Sequence, residues 1–178
     1  LMDFYLARVN RIIPALAFLC ASLLIIGLFT LSPVEYSKLG KQAASSVLFL
    51  SNIIYYRDSG YFAESSLENW LLHTWSLSVE WQFYLLYPVA LLVLNRLLSR
   101  DKLKVAIVFA TFLSLVLSAW LTPKNPSLSY YALPTRAWEM LIGGLAFLYP
   151  IKIYESLRKP LAVIGVILIL ISCFAFSE

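Results

Sequence analysis

Between Arg11 and Glu35 the chain runs for 23 residues without a charged side chain. A membrane-spanning helix takes about 20 mostly apolar residues, whereas the core of a cleavable signal peptide takes about 7–15. Arg8 and Arg11 precede the run as they would in a signal peptide, but its length makes it a span. The rest of the composition agrees. Hydrophobic residues make up 61% of the chain and charged residues 13%, against about 25% charged in an ordinary soluble domain. So few charges cannot cover a soluble fold of 178 residues. A soluble globular domain, a disordered chain and a nucleic-acid binder are thereby excluded. The net charge of +4 reads as basic loops facing an anionic leaflet.

The expected fold is all-α, a multi-span transmembrane helical bundle forming a single domain over residues 1–178. Expected spans cover about 12–31, 77–95, 105–123, 130–150 and 160–177. These runs are too long and continuous for alternating barrel strands. The stretch 42–56 is uncharged but short, and it contains Ser45, Ser46, Ser51 and Asn52. It is either re-entrant or a further span. Arg8 and Arg11, the basic run from Arg96 to Lys104, and Lys152 with Arg158 and Lys159 form three basic clusters. The positive-inside rule places all three on the cytoplasmic side, which favours a re-entrant 42–56. Cys20 and Cys173 both lie in apolar runs and read as small buried hydrophobes, and no metal-ligating cluster is present.

Three polar features interrupt the apolar pattern. His73, the only histidine, stands three residues before Ser76 and seven before Glu80, so a helix puts all three on one face. An ionisable group within a span is a functional candidate, because exposing it to lipid is costly. The plainer reading is a bonded pair that fixes helix packing. A Ser-His-Glu hydrolase triad fits poorly, since one rigid face does not give nucleophile–base–orienter geometry and no G-x-S-x-G elbow occurs. Arg136 and Glu139, three apart, either neutralise each other in a bundle or form the charged wall of a water-filled cavity. Arg8 and Arg11 either anchor the first span or grip a phosphate bidentately. Pro14 is expected in the first turn of that span, where its missing N–H costs nothing.

The motifs Phe4–Leu16 (R-x-x-R-I-I-P at its centre), Leu50-Ser51-Asn52-Ile53, His73–Pro88 and Leu133–Gly144 follow one another in order. Together they resemble the acyltransferase-3 family of integral-membrane O-acyltransferases, the kind that acetylate bacterial surface polysaccharides. The resemblance covers nearly the whole chain. It implies a multi-pass enzyme of the bacterial inner membrane that moves an acyl group, usually acetyl from cytoplasmic acetyl-CoA, to a carbohydrate hydroxyl. Arg8 and Arg11 match the arginines thought to meet the acyl donor. The family's proposed catalytic histidine lies in an earlier span that this chain does not contain. The chain is therefore expected to be the middle of such an enzyme, inactive on its own. Within it, Glu80 and His73 are the candidate catalytic groups, and Trp75, Ser76, Arg136 and Glu139 the candidate acceptor-binding groups. The expected partners are the lipid bilayer, the acyl-CoA and the carbohydrate; no permanently bound cofactor is expected. His73 is expected at the outer side, separated from Arg8 and Arg11 by most of the roughly 30 Å hydrocarbon core. A multi-span transporter or lipid-linked-sugar flippase is the alternative, with the charged groups lining a pathway.

Overall fold

Each long uncharged run becomes a helix, because in lipid every backbone N–H and C=O must find its partner within its own segment. The computed structural model describes residues 2–59, 69–150 and 154–175. Among these there is no strand. The helices are α1 (Met2–Thr30), α2 (Pro33–Val47), α3 (Ser51–Asp58), α4 (Thr74–Leu97), α5 (Arg100–Leu121), α6 (Pro126–Tyr131), α7 (Leu133–Leu148) and α8 (Glu155–Ala175). Helices α1, α4 and α5 are long and apolar enough to cross a membrane. Large apolar side chains stand exposed along them, Phe29 at 81% and Phe18 at 77%. In water such surfaces would drive association; in a bilayer they are the ordinary outer face of a helix.

Two compact units divide the chain, Leu1–Gly143 and Gly144–Glu178. The second contains α8, whose apolar side chains from Leu161 to Ile171 are exposed around the helix. Lys152, the end of the 160–177 run and the side chain of Cys173 lie outside the described residues. Everything that follows concerns the first unit.

Three boundaries differ from the sequence expectation, each for a local reason. Helix α1 begins at Met2, so Pro14 sits inside the helix and not in its first turn. Proline has no N–H to give to the carbonyl of Asn10. The run 130–150 is broken at the extended Ala132, so Tyr130 and Tyr131 end α6 before α7 begins. The run 42–56 is not one helix. Helix α2 ends in a Schellman turn, with Leu50 N–H bonded to Ser45 C=O at 2.8 Å and Phe49 N–H to Ser46 C=O at 3.0 Å. Phe49 takes the left-handed position with φ 55°, a place glycine usually fills because a Cβ there costs roughly 1–2 kcal/mol. Its buried ring compensates by stacking on Trp81, with centroids 4.5 Å apart and planes inclined by 18°.

The polar residues of 42–56 turn inward and explain why this segment is not simply another lipid-facing helix. Ser46 and Ser51 both bond Thr74, at 2.7 and 3.2 Å, and Ser51 bonds Ser78 at 2.7 Å. All four hydroxyls are buried. An unpaired hydroxyl in an apolar interior costs a few kcal/mol, so this chain of bonds holds α2 and α3 against the start of α4. Gln42, also buried, donates to Asn69 at 2.7 Å. At the start of α2, outside the long apolar helices, Ser32 and Glu35 form a capping box with Pro33 in the first turn.

Helices α1 and α4 run antiparallel. Phe4 packs edge-on to Tyr84, and the Tyr5 hydroxyl donates to Leu85 C=O at 3.1 Å. Further along α1, Leu16 joins a buried cluster with Leu71. Between α5 and α7, the Ser114 hydroxyl donates to Pro134 C=O at 2.6 Å and accepts from Trp138 N–H at 3.0 Å. Those two groups are the ends of a single helical i→i−4 bond, so the serine is inserted into the first turns of α7.

Candidate functional site

Ser76, Glu80 and Tyr84 are successive i, i+4 neighbours on α4, so one face of the helix presents all three. Opposite them stand Arg136, Glu139 and Met140 of α7. Together with Trp75 and Val79 they line a half-open cavity of about 340 Å³. Arg136 and Glu139 also share a face, being three apart. The Arg136 guanidinium lies 2.9 Å from both carboxylate oxygens of Glu139. It also lies 4.9 Å from the ring of Trp75 and 5.5 Å from that of Tyr130. Arg136 is thus fixed twice, by a carboxylate and by aromatic faces. The Arg136–Glu139 pair is thus closed on itself along one helix face while both residues line the cavity. Glu80 is exposed to the same cavity.

Trp75 is buried, and its faces are already used. Tyr130 lies 4.4 Å from it and Tyr131 meets it edge-on at 5.4 Å. Among these aromatics Tyr130 is the exposed one, at 51%. The sequence reading did not single out Tyr130, because nothing in the linear order shows that the end of α6 packs on α4. Tyr84 is not among the expected site residues either, although its position four residues after Glu80 signals it.

His73 does not join this face. It precedes α4, in a turn where Leu72, Thr74 and Trp75 donate to carbonyls three residues back rather than four. This 3₁₀-type winding is tighter than an α-helix, so the ideal-helix spacing of His73 to Glu80 does not apply. His73 instead lines a separate, mostly apolar groove of about 460 Å³ with Ile12, Leu16, Leu19, Trp70 and Leu77. The Ser76 hydroxyl donates to the His73 carbonyl at 3.1 Å, a link to the backbone and not to the imidazole.

Arg8, on α1, packs against α4. Its guanidinium sits 3.5 Å above the Phe4 ring and 5.3 Å from that of Tyr84. Four residues separate Tyr84 from Glu80, or about 6 Å along the axis. Even Thr74, the first residue of α4 and the neighbour of His73, is ten residues from Tyr84, about 15 Å along the axis, well short of the membrane thickness expected between His73 and Arg8. Arg96 at the basic α4–α5 turn lies about 18 Å in the other direction. Arg8 is therefore beside the middle of α4, not level with that turn. Arg11, one turn further on, is exposed.

Comparison with known proteins gives this arrangement a family. The sequence profile described as "Acyltransferase domain" matches residues 1–178. The chain belongs to this acyltransferase family. A Haemophilus influenzae protein named only as uncharacterized is 29% identical over 97% of this chain and 75% of its own length. Within the acyltransferase family, the peptidoglycan O-acetyltransferase OatA of Listeria monocytogenes is 33% identical over 93% of this chain and 28% of its own. The O-acetyltransferase OatA of Staphylococcus aureus is 31% identical over 84% and 25% respectively. The chain thus spans about a quarter of the length of these named acetyltransferases. No solved structure matches it.

Proposed function

We propose that this chain forms the membrane-embedded core of an O-acyltransferase, moving an acyl group, acetyl from acetyl-CoA, to a hydroxyl of a cell-surface carbohydrate. The bacterial inner membrane is the proposed setting. The observation that carries the reading is the cavity between α4 and α7, with Glu80 on one wall, the Arg136–Glu139 pair on the other and Arg8 beside its rim residue Tyr84. Family membership supplies the reaction class.

In that reaction the acceptor oxygen attacks the thioester carbonyl. A C–O bond forms, the C–S bond breaks, and the acceptor proton leaves with the departing thiolate by way of a base. Among the cavity-lining residues Glu80 is the carboxylate not paired with Arg136, which makes it the base proposed here. His73 faces another groove and is not on this path. Arg8 and Arg11 would hold the donor's phosphates, Arg8 with its guanidinium pre-oriented by two aromatic rings. Ser76 and Tyr130 offer a hydroxyl and an exposed aromatic face of the kind that suits a sugar. Trp75 acts by backing Arg136 and Tyr130.

The test uses the protein as its gene encodes it, reconstituted in lipid vesicles with radiolabelled acetyl-CoA and a peptidoglycan glycan strand. Label incorporated as an alkali-labile ester on the glycan is expected. Movement of a lipid-linked sugar across the bilayer with no ester formed would overturn the reading in favour of a flippase.

A further inference from the structure

We infer that Asn52 is a positioning residue that sets the acceptor wall of the α4–α7 cavity from outside it. The inference rests on the acyltransferase reading above and adds a residue that does not line the cavity.

Asn52 follows the Phe49 turn, at the second position of α3, and is 3% exposed. Its side-chain amide joins two other elements. Gln82 of α4 donates its Nε2 to Asn52 Oδ1 at 2.9 Å and to Phe49 C=O at 3.0 Å. Asn52 in turn donates its Nδ2 to Tyr131 C=O at 3.0 Å. Both amide orientations are dictated by this network, since each nitrogen faces a backbone carbonyl that can only accept.

The Tyr131 carbonyl belongs to the last residue of α6, where the helix supplies no donor of its own. Asn52 therefore ties the α6–α7 corner to α4 through Gln82. That corner carries Tyr130 and Tyr131 onto Trp75, and one turn later it carries Arg136 onto the same ring. Met140, with Tyr131, packs on the buried cluster of Tyr55, Trp75 and Val79. The separation between the Ser76–Glu80 face and the Arg136–Glu139 wall is consequently set by a strut on α3. A misplacement of about 1 Å between such walls is enough to cost catalysis heavily.

Asn52→Leu keeps the approximate volume and removes every side-chain hydrogen bond to Gln82 and to Tyr131. With acetyl-CoA and a peptidoglycan glycan strand as probes, its KM for the glycan is expected to rise about three- to ten-fold, the scale of one or two interhelical hydrogen bonds. The KM for acetyl-CoA should not move. A merely structural role would raise both or reduce the folded yield alone. Should Asn52→Leu fail to fold, Asn52→Asp carries the test, because it keeps the bond from Gln82. Its neutral carboxyl can donate to the Tyr131 carbonyl and its ionised form cannot. The ratio of its glycan KM to that of the unsubstituted protein should therefore rise with pH. An unchanged glycan KM in Asn52→Leu, an equal rise in both KM values, or a flat ratio in Asn52→Asp would overturn the inference. Absence of any transfer by the unsubstituted protein would instead count against the acyltransferase reading itself.

Discussion

The guanidinium of Arg8 lies 5.3 Å from the ring of Tyr84, and the same tyrosine lines the cavity that contains Glu80, Arg136 and Glu139. A residue near the start of the first span is thereby brought to the middle of α4. The donor-binding and base roles proposed for Arg8 and Glu80 need be reconciled over about 6 Å along the helix, not over a whole bilayer.

Arg8→Lys is expected to weaken acetyl-CoA binding about ten-fold, since an ammonium lacks the planar fork and stacks less well between Phe4 and Tyr84. The Arg8→Ala, Arg11→Ala double variant should lose more. Equilibrium binding of the labelled donor measures both. Unchanged affinity in the double variant would remove the arginines from the donor site.

Glu80→Gln keeps the side-chain shape and removes the proposed base. Turnover should fall about 100-fold or more. Because Glu80 is exposed to the cavity, folding stability should change by no more than about 0.5 kcal/mol. Steady-state kinetics and a thermal melt on the same preparation separate the two. Normal turnover would leave Glu80 with no chemical role.

At Phe49 the usual order of alanine and glycine should invert. Phe49→Ala loses the stack on Trp81 and keeps a left-handed Cβ, for a cost of about 3 kcal/mol or more. Phe49→Gly loses the same ring but relieves the backbone, so it should be less destabilising than alanine by about 1 kcal/mol. Unfolding in mild detergent with added denaturant would show the order. Glycine equal to or worse than alanine would mean the turn is not strained.

Hydrogen bonds from the Ser32 side chain and backbone hold the Glu35 carboxyl below the usual carboxylate range. A depressed folded value means the cap is at full strength above the ordinary value of 4.5 and is lost as pH falls through the lowered one. Amide exchange in the first turn of α2 should therefore accelerate on acidification. Glu35→Gln should abolish that pH dependence; an unchanged acid profile would show that the capping box contributes nothing.

Charge spacing revealed α1, α4 and α5, because a span announces itself through length and uniform apolarity, and these are properties of one segment at a time. The Ser76–Glu80 and Arg136–Glu139 faces were legible for the same reason, as both are short helical intervals. Segment 42–56 was harder. Its serines and asparagine marked it as unlike a lipid-facing helix, but the break at Phe49 depends on a ring stack with Trp81, 32 positions away.

The linear order of residues by itself determined the class of the protein, the location of the long apolar helices and the identity of the polar groups, since each follows from local composition and the hydrogen-bonding demands of lipid. Only the tertiary structure decided which polar groups meet. A 3₁₀-type turn sends His73 to a different groove from Glu80. The antiparallel register of α1 and α4 brings Arg8 to Tyr84, and Asn52 with Gln82 ties the end of α6 to α4. These are contacts between segments far apart in the chain. Their geometry is set by packing and by pairing every buried amide and hydroxyl, which no periodicity within one segment encodes.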